Sequence, residues 1–242
     1  ATKHLSFDTI WFWLVIGLSV LLLALGGVGL SSADKTATGY DPLSSAEIDA
    51  ITNGALIDTR TTAQMEVLLV ERHSESKQTE QRGTWRRRAD VYLYDYATNQ
   101  LTVALVDVES GVVESIEQAR MVQLPLTEAE IARAIEIVEA DEAVWAAVSA
   151  ELSRATDTEL PSLAAVQIKA FTFVATSLPH RANAASQACG LQRCAQLLLY
   201  TTDDIALDLM PIVNLSTHET TQVMGLVSDA PHFHFGGDQH EH

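Results

Sequence analysis

The sequence predicts an α+β protein in which one N-terminal transmembrane helix precedes two tandem units, each a helix packed on an antiparallel β-meander. Three observations support this prediction. An uncharged apolar stretch occupies residues 10–30, a seven-residue segment occurs twice, and each copy is followed by runs of β-branched and aromatic residues. The chain has 242 residues. That length allows one membrane helix and about 200 residues of folded material with a buried core.

The apolar stretch at residues 10–30 is long enough to cross a membrane as a helix, which rises about 1.5 Å per residue. Its start is marked by three residues whose rings favour the membrane interface, the expected anchors Trp11, Phe12 and Trp13. A cleaved signal peptide is the alternative, because small residues follow at 31–33. We favour a retained helix, since the apolar stretch exceeds the usual length of a signal-peptide core.

The repeated segment reads PLSSAEI at residues 42–48 and PLTEAEI at residues 125–131, with five of seven positions identical. Each copy places Ser or Thr three residues before a Glu. This is the capping-box pattern, in which the two side chains satisfy free backbone N–H groups at the start of a helix. Each copy therefore predicts the beginning of a helix.

The strands of each unit are predicted from β-branched and aromatic enrichment between turn residues. Turns are expected at Thr98-Asn99, Ser110-Gly111 and Asp203-Asp204. The first unit is expected to contain strands at 65–73, 89–96, 101–109 and 112–117. The second is expected to contain one long helix at 128–154 and strands at 164–176, 195–202, 205–213 and 217–223.

The expected organisation follows from these elements. It comprises a cytoplasmic tail (1–9), the transmembrane helix (10–30), a linker (31–41), the first α+β unit (42–123), the second (124–225) and a His-rich tail (226–242). The bulk of the chain is expected on the periplasmic side of a bacterial inner membrane, either cytoplasmic or intracytoplasmic.

The chain resembles the small N-terminal α+β domains of copper amine oxidases. The resemblance rests on RADVYLYDY at 88–96, LTVALVD at 101–107 and PLTEAEI at 125–131, and extends over residues 42–223. It implies a peripheral, non-catalytic role, because the catalytic domain of that family follows these domains. The Asn-Tyr pair that begins that family's cofactor motif is absent from this sequence.

The composition is strongly acidic, with 32 acidic and 15 basic residues and a formal net charge of -17. Such a surface repels nucleic acid and attracts basic proteins, for example a basic c-type cytochrome. We therefore expect no nucleic-acid partner.

Three groups of residues are candidates for a site. The C-terminal histidines could bind Cu or Zn, or could simply belong to an exposed tail; they are His232, His234, His240 and His242. Cys189 and Cys194 could form a structural disulfide or a redox-active pair, and we favour the disulfide because their spacing is not the Cys-x-x-Cys of thioredoxin-like enzymes. A basic cluster could contact lipid or a partner, or pair with acidic residues of its own domain; it consists of Trp85, Arg86, Arg87 and Arg88.

The sequence carries no phosphate-binding loop, nucleophile elbow or zinc-protease motif. We therefore expect a non-catalytic accessory subunit of a larger bacterial membrane complex, of photosynthetic reaction-centre or respiratory type. Its expected partners are integral membrane subunits and the lipid bilayer, and no cofactor is expected. The alternatives are a membrane-anchored copper- or zinc-binding protein that uses the C-terminal histidines, and a tethered enzyme of unrecognised type.

Overall fold

The computed structural model describes residues 41–58, 64–82, 86–120, 122–156, 162–163 and 166–225. The chain divides between Asp41 and Pro42, and every element named below lies after that boundary. Within the part that the structure describes, no helix is long and apolar enough to cross a membrane. The predicted span and its anchors Trp11, Phe12 and Trp13 lie outside that part.

The first unit is a four-stranded antiparallel sheet with a helix on one face. It consists of α1 (Ser45–Asp58), β1 (Met65–Arg72), α2 (Lys77–Gln81), β2 (Arg88–Asp95), β3 (Gln100–Asp107) and β4 (Val113–Ala119). The strands pair in the order β1-β2-β3-β4. Alternate residues of β2 and β3 pack with α1, because successive side chains of a strand point to opposite faces. This core contains Ile51, Ala55, Ala89, Val91, Leu93, Ala104 and Val106.

The second unit repeats the plan with more helix. It consists of α3 (Glu128–Ala140), α4 (Glu142–Thr156), β5 (Gln167–Phe173), β6 (Cys194–Tyr200), β7 (Leu209–Asn214) and β8 (Glu219–Gly225). These strands pair antiparallel in the order β5-β6-β7-β8. Two short 3-10 turns, Ala175–Ser177 and Ala185–Ala188, lie in the β5–β6 connection. The prediction of a mixed α+β chain with two four-stranded antiparallel sheets is confirmed.

The prediction of one long helix at 128–154 is wrong, because the helix is interrupted at Asp141. Asp141 adopts an extended conformation (φ -84°, ψ 99°) at the end of α3. Its Oδ1 accepts a hydrogen bond from the Val144 backbone N–H at 3.2 Å, as an N-cap residue does. The same aspartate therefore ends one helix and caps the next.

The predicted strand at 205–213 begins later, at Leu209. Asp204 has a positive φ of 61°, which turns the chain after β6. Beyond this turn only Ala206 forms an isolated bridge with Tyr200, and the side chain of Ile205 is 53% exposed. The residues before Leu209 therefore belong to the turn region and not to the strand.

A further buried cluster contains residues of both units. Tyr94, Tyr96 and Leu101, at the β2–β3 hairpin end of the first sheet, belong to the same buried cluster as Leu197 and Leu215 of the second sheet. Burial of apolar surface is the dominant favourable contribution to folding. The shared cluster therefore fixes the first unit against the second.

Candidate functional site: a cleft between the two units

The capping glutamate of the first repeat is held by an arginine. Ser44 and Glu47 form the predicted capping box: the Ser44 backbone N–H donates to Glu47 Oε2 at 2.7 Å and the Glu47 N–H donates to Ser44 Oγ at 3.3 Å. Arg87, directly before β2, donates from Nε and Nη2 to the two oxygens of Glu47 at 2.8 and 3.1 Å. Its Nη2 also donates to the carbonyl oxygen of Pro42 at 2.9 Å.

The second repeat contains the same arrangement, which we call the inner clamp: Thr127, Glu130, Arg193 and Tyr96. Glu130 closes the capping box with Thr127. Arg193, directly before β6, donates from Nε and Nη2 to the two oxygens of Glu130, and from Nη2 to the carbonyl oxygen of Pro125 at 2.8 Å. The hydroxyl of Tyr96, from the first unit, donates to Glu130 Oε1 at 2.7 Å. The inner clamp therefore joins the two units.

The two glutamates differ in burial but are both held ionised. The hydrogen bonds from Arg87 lower the pKa of Glu47 to about 2. Burial would raise the pKa of Glu130, but hydrogen bonds from Arg193 and its charge outweigh that effect and hold the pKa below its usual value. Burial, together with the bond to Glu130, raises the pKa of the Tyr96 hydroxyl, so Tyr96 remains a neutral donor.

A disulfide-closed loop lies beside the inner clamp. Cys189 and Cys194 are bonded, with their Cα atoms 5.5 Å apart. Gly190 within the loop has a φ of +108°, and a Cβ there would lie 2.8 Å from Cγ1 of Val174, so only glycine fits. The Gly190 carbonyl oxygen accepts a hydrogen bond from Gln123 Nε2 at 3.1 Å. The loop is thereby tied to the segment that connects the two units.

This loop, the β2–β3 hairpin end and the end of β4 surround a cleft of about 290 Å³. Among the described residues, no acidic side chain lines it. The charged groups of the lining are two arginines, Arg120 and Arg193. Its other polar side chains are the hydroxyl of Tyr94 and five carboxamides, those of Asn99, Gln100, Gln118, Gln123 and Gln192.

Two apolar side chains of the lining are exposed. Leu191 is 78% exposed and Val122 is 43% exposed, although both line the cleft. Exposed single apolar residues are common on protein surfaces. Here they border a concave site that also presents hydrogen-bonding groups, which is the usual composition of a binding pocket.

The structure pairs the described arginines of the predicted basic cluster with acids of the same domain. Arg87 binds Glu47, and Arg88 binds Glu75 and Glu114. Arg86 binds Glu114 at 2.7 Å, but 69% of its side chain is exposed. Trp85 lies outside the described residues. Arg86 is therefore the member of this cluster that presents a largely exposed guanidinium group.

The predicted metal ligands His232, His234, His240 and His242 lie outside the described residues. His218 is described and lies in the β7–β8 turn with a positive φ of 59°. It borders an open groove of about 1180 Å³ along the outer face of α3. Among the residues that the structure covers, no three His, Cys, Asp or Glu side chains are grouped closely enough to hold a metal ion.

The inner clamp was not predicted from the sequence, although a signal for it exists. Arg87 and Arg193 occupy the same place in the two units, directly before the second strand. An alignment of the two second strands, added to the alignment of the two PLxxAEI segments, places an arginine at the same position in each unit. Each arginine could then be matched to the glutamate of its own segment. The partner residue Tyr96 has no such repeated signal.

Comparisons with known proteins identify the class of fold. No family model and no curated protein matches the chain. Several solved structures match, among them a copper-containing benzylamine oxidase from Hansenula polymorpha, with a TM-score of 0.52 and 18% sequence identity. The match covers 78% of this chain and 30% of the oxidase. The chain therefore has a fold found in copper amine oxidases and spans less than a third of that enzyme's length.

Proposed function

We propose that this chain is a non-catalytic accessory subunit, anchored by the helix at residues 10–30, whose folded domain docks on partner subunits of a bacterial membrane complex. The observation that supports the proposal is the cleft between the two units. It places exposed Leu191 and Val122 beside amide groups on a fixed frame, and protein interfaces likewise join apolar contacts to polar ones. Photosynthetic reaction-centre and respiratory complexes are the settings to test.

The use of the buried charged groups favours a structural role over a catalytic one. Glu130 and Arg193 bind each other and backbone groups. Glu151 accepts hydrogen bonds from the backbone N–H groups of Asp208 and Leu209. Catalytic acids and bases need access to a substrate in a cavity, whereas these groups hold helices and strands together.

The charge of the chain favours particular partners. With a formal net charge of -17, the chain attracts basic proteins over distances of about a Debye length, roughly 8 Å at physiological salt. A basic c-type cytochrome is one such partner, and integral membrane subunits and the bilayer would hold the anchor. The proposed location is the periplasmic side of the inner membrane, with the N-terminus in the cytoplasm.

The test is co-purification from native membranes in a mild detergent through two independent separations, a density gradient and anion exchange. We expect the chain to keep a constant ratio to the same integral membrane subunits in both. A matched variant, with His232, His234, His240 and His242 all replaced by Ala, should keep that ratio.

Two outcomes would overturn the proposal. One is elution of the chain alone with stoichiometric copper or zinc that the four-histidine variant lacks, which would favour a metal-binding protein. The other is a ratio that differs between the two separations, which would mean that co-migration is accidental.

A further inference from the structure

We infer that the cleft binds an extended peptide segment of a partner protein, which presents a carboxylate to Arg120 and an apolar side chain to Leu191 and Val122. This inference rests on the proposed docking function and specifies its chemistry. The binding surface is formed by the end of β4, the connection that follows it and the disulfide loop.

The charge of the cleft is opposite to that of the protein. The chain has 32 acidic residues, yet none of those that the structure describes lines the cleft. Arg193 is neutralised by Glu130 within the inner clamp. Arg120 is exposed and, within the part of the chain that the structure describes, lies in none of the ion pairs. An arginine binds a carboxylate or a phosphate through two parallel hydrogen bonds, and the carboxylate is the one of these two groups that an unmodified peptide carries.

The carboxamides of the lining match the backbone of a peptide. A carboxamide carries both donor and acceptor groups, as does each peptide unit. The bonds they form here use part of this capacity. Gln118 Nε2 donates to Gln100 Oε1 at 2.9 Å, and Gln123 Nε2 donates to the Gly190 carbonyl. Asn99 Oδ1 accepts from the Tyr94 hydroxyl at 3.3 Å, and Gln192 Oε1 accepts from Asn214 Nδ2 at 2.5 Å. The remaining donors and acceptors can bind a partner's backbone whatever its side chains are.

The position of β4 favours an extended occupant. β4 is the edge strand of its sheet, and Ser115 to Gln118 are exposed on both faces of the sheet. An edge strand can accept a further strand through its unpaired backbone groups. Glu114 and Glu117 lie earlier on β4, so repulsion restricts a partner carboxylate to the Arg120 end.

The size of the cleft limits what enters it. A volume of about 290 Å³ is at the lower end of the range for ligand pockets, roughly 300–1,000 Å³. It accommodates one or two side chains of a segment that lies across the surface. Because the disulfide and the inner clamp hold its walls, the backbone of the cleft loses little conformational entropy on binding.

The experiment uses the full chain in its native membrane, with a photoreactive benzophenone amino acid in place of Leu191. We expect irradiation to join this position to an extended segment of a co-migrating subunit with Asp or Glu within a few residues of the linked site. The control position is Ile205, which is also exposed but lies outside the cleft, and it should not cross-link to that segment.

Arginine variants decide whether the charge matters. Arg120→Gln should lower the cross-linking yield at Leu191 about tenfold, the change that corresponds to one charged hydrogen-bonded pair. Arg120→Lys keeps the charge and should retain most of the yield. The matched control is Arg86→Gln, another exposed arginine on the first unit, which should leave the yield unchanged. Thermal unfolding of each variant in detergent should remain close to that of the wild type.

The outcomes separate this inference from the proposed function. A link to a helical or basic segment, or no link while co-migration persists, overturns the inference and leaves the subunit proposal intact. If the chain elutes without other subunits, the subunit proposal fails. Selection of peptides from a random library by the purified chain then tests whether the cleft binds an acidic extended peptide. Acidic extended peptides that are lost with Arg120→Gln support it. Peptides that do not depend on Arg120, or competition by free acetate alone, overturn it.

Discussion

The two copies of the repeated segment hold the same pair of side chains in different surroundings. In the first unit, 13% of the Arg87 side chain and 22% of the Glu47 side chain are exposed. In the second, the corresponding values are 3% for Arg193 and 0% for Glu130. Both arginines also bind the carbonyl oxygen of the proline that opens the repeat.

The same Arg–Glu contact has a different energetic role at each site. At the partly exposed site, water replaces either partner when the other is removed, so the pair contributes little. At the buried site, removal of one partner leaves a charge without compensation in an apolar region. Loss of one partner is therefore strongly destabilising in the buried pair, whereas the outer pair is a local support for α1.

The largest expected effect is that of Arg193→Met. This change removes the counter-charge of buried Glu130, and we expect the free energy of unfolding to fall by about 3–5 kcal/mol. Denaturant titration of the full chain in detergent, followed by tryptophan fluorescence, measures the loss. A double variant with Glu130→Leu should recover a large part of it. A loss below about 1 kcal/mol would contradict the assignment of the inner clamp.

The next effect is that of Tyr96→Phe, which removes the hydrogen bond between the units and keeps the ring in the core. We expect a loss of about 1–2 kcal/mol, typical for a buried hydrogen bond to a charged group. The matched control is Tyr94→Phe, whose hydroxyl is 3.3 Å from Asn99 Oδ1 and which should cost less. Equal losses of stability for both variants would show that the Tyr96–Glu130 hydrogen bond contributes no more than the Tyr94–Asn99 bond.

A smaller effect is expected for Arg87→Met, the counterpart of Arg193→Met. Since Glu47 is partly exposed and water can reach its carboxylate, we expect a loss of about 1 kcal/mol or less. The same denaturant titration measures it. If Arg87→Met and Arg193→Met cost the same, burial does not distinguish the two sites.

The smallest effect is the pH dependence contributed by Glu47. Its pKa is lowered from 4.5 to about 2 in the folded chain, so its contribution is complete above pH 4.5 and is lost as the pH falls towards 2. We expect Glu47→Gln to reduce the slope of stability against pH in this window by a few tenths of a kcal/mol per unit, because solvent screens the pair. An unchanged slope would mean that Glu47 titrates normally.

Local sequence was sufficient for much of the fold. The capping boxes at Ser44 and Thr127, the hairpin turn at Asn99 and the strand alternation of β2 follow from interactions between residues close in the chain. The interruption of the helix at Asp141 also depends on residues close in the chain. The apolar residues on both sides of it keep helical spacing, however, so the pattern predicts one helix. Only the extended conformation of Asp141 distinguishes two helices from one.

The site depended on contacts between distant residues. Arg193 is 63 positions from Glu130, and Tyr96 is 34 positions from it, so no spacing rule connects them. The cleft likewise requires Arg120 and Leu191 to meet across two units.

The sequence by itself determined the α+β class, the two helix starts and the two meanders, because capping and side-chain alternation act over a few residues. The tertiary structure alone decided that one Arg–Glu pair is buried and the other is not. Burial depends on what the other unit covers. It is the packing of Tyr94, Tyr96 and Leu101 on the second unit that removes the inner clamp from water.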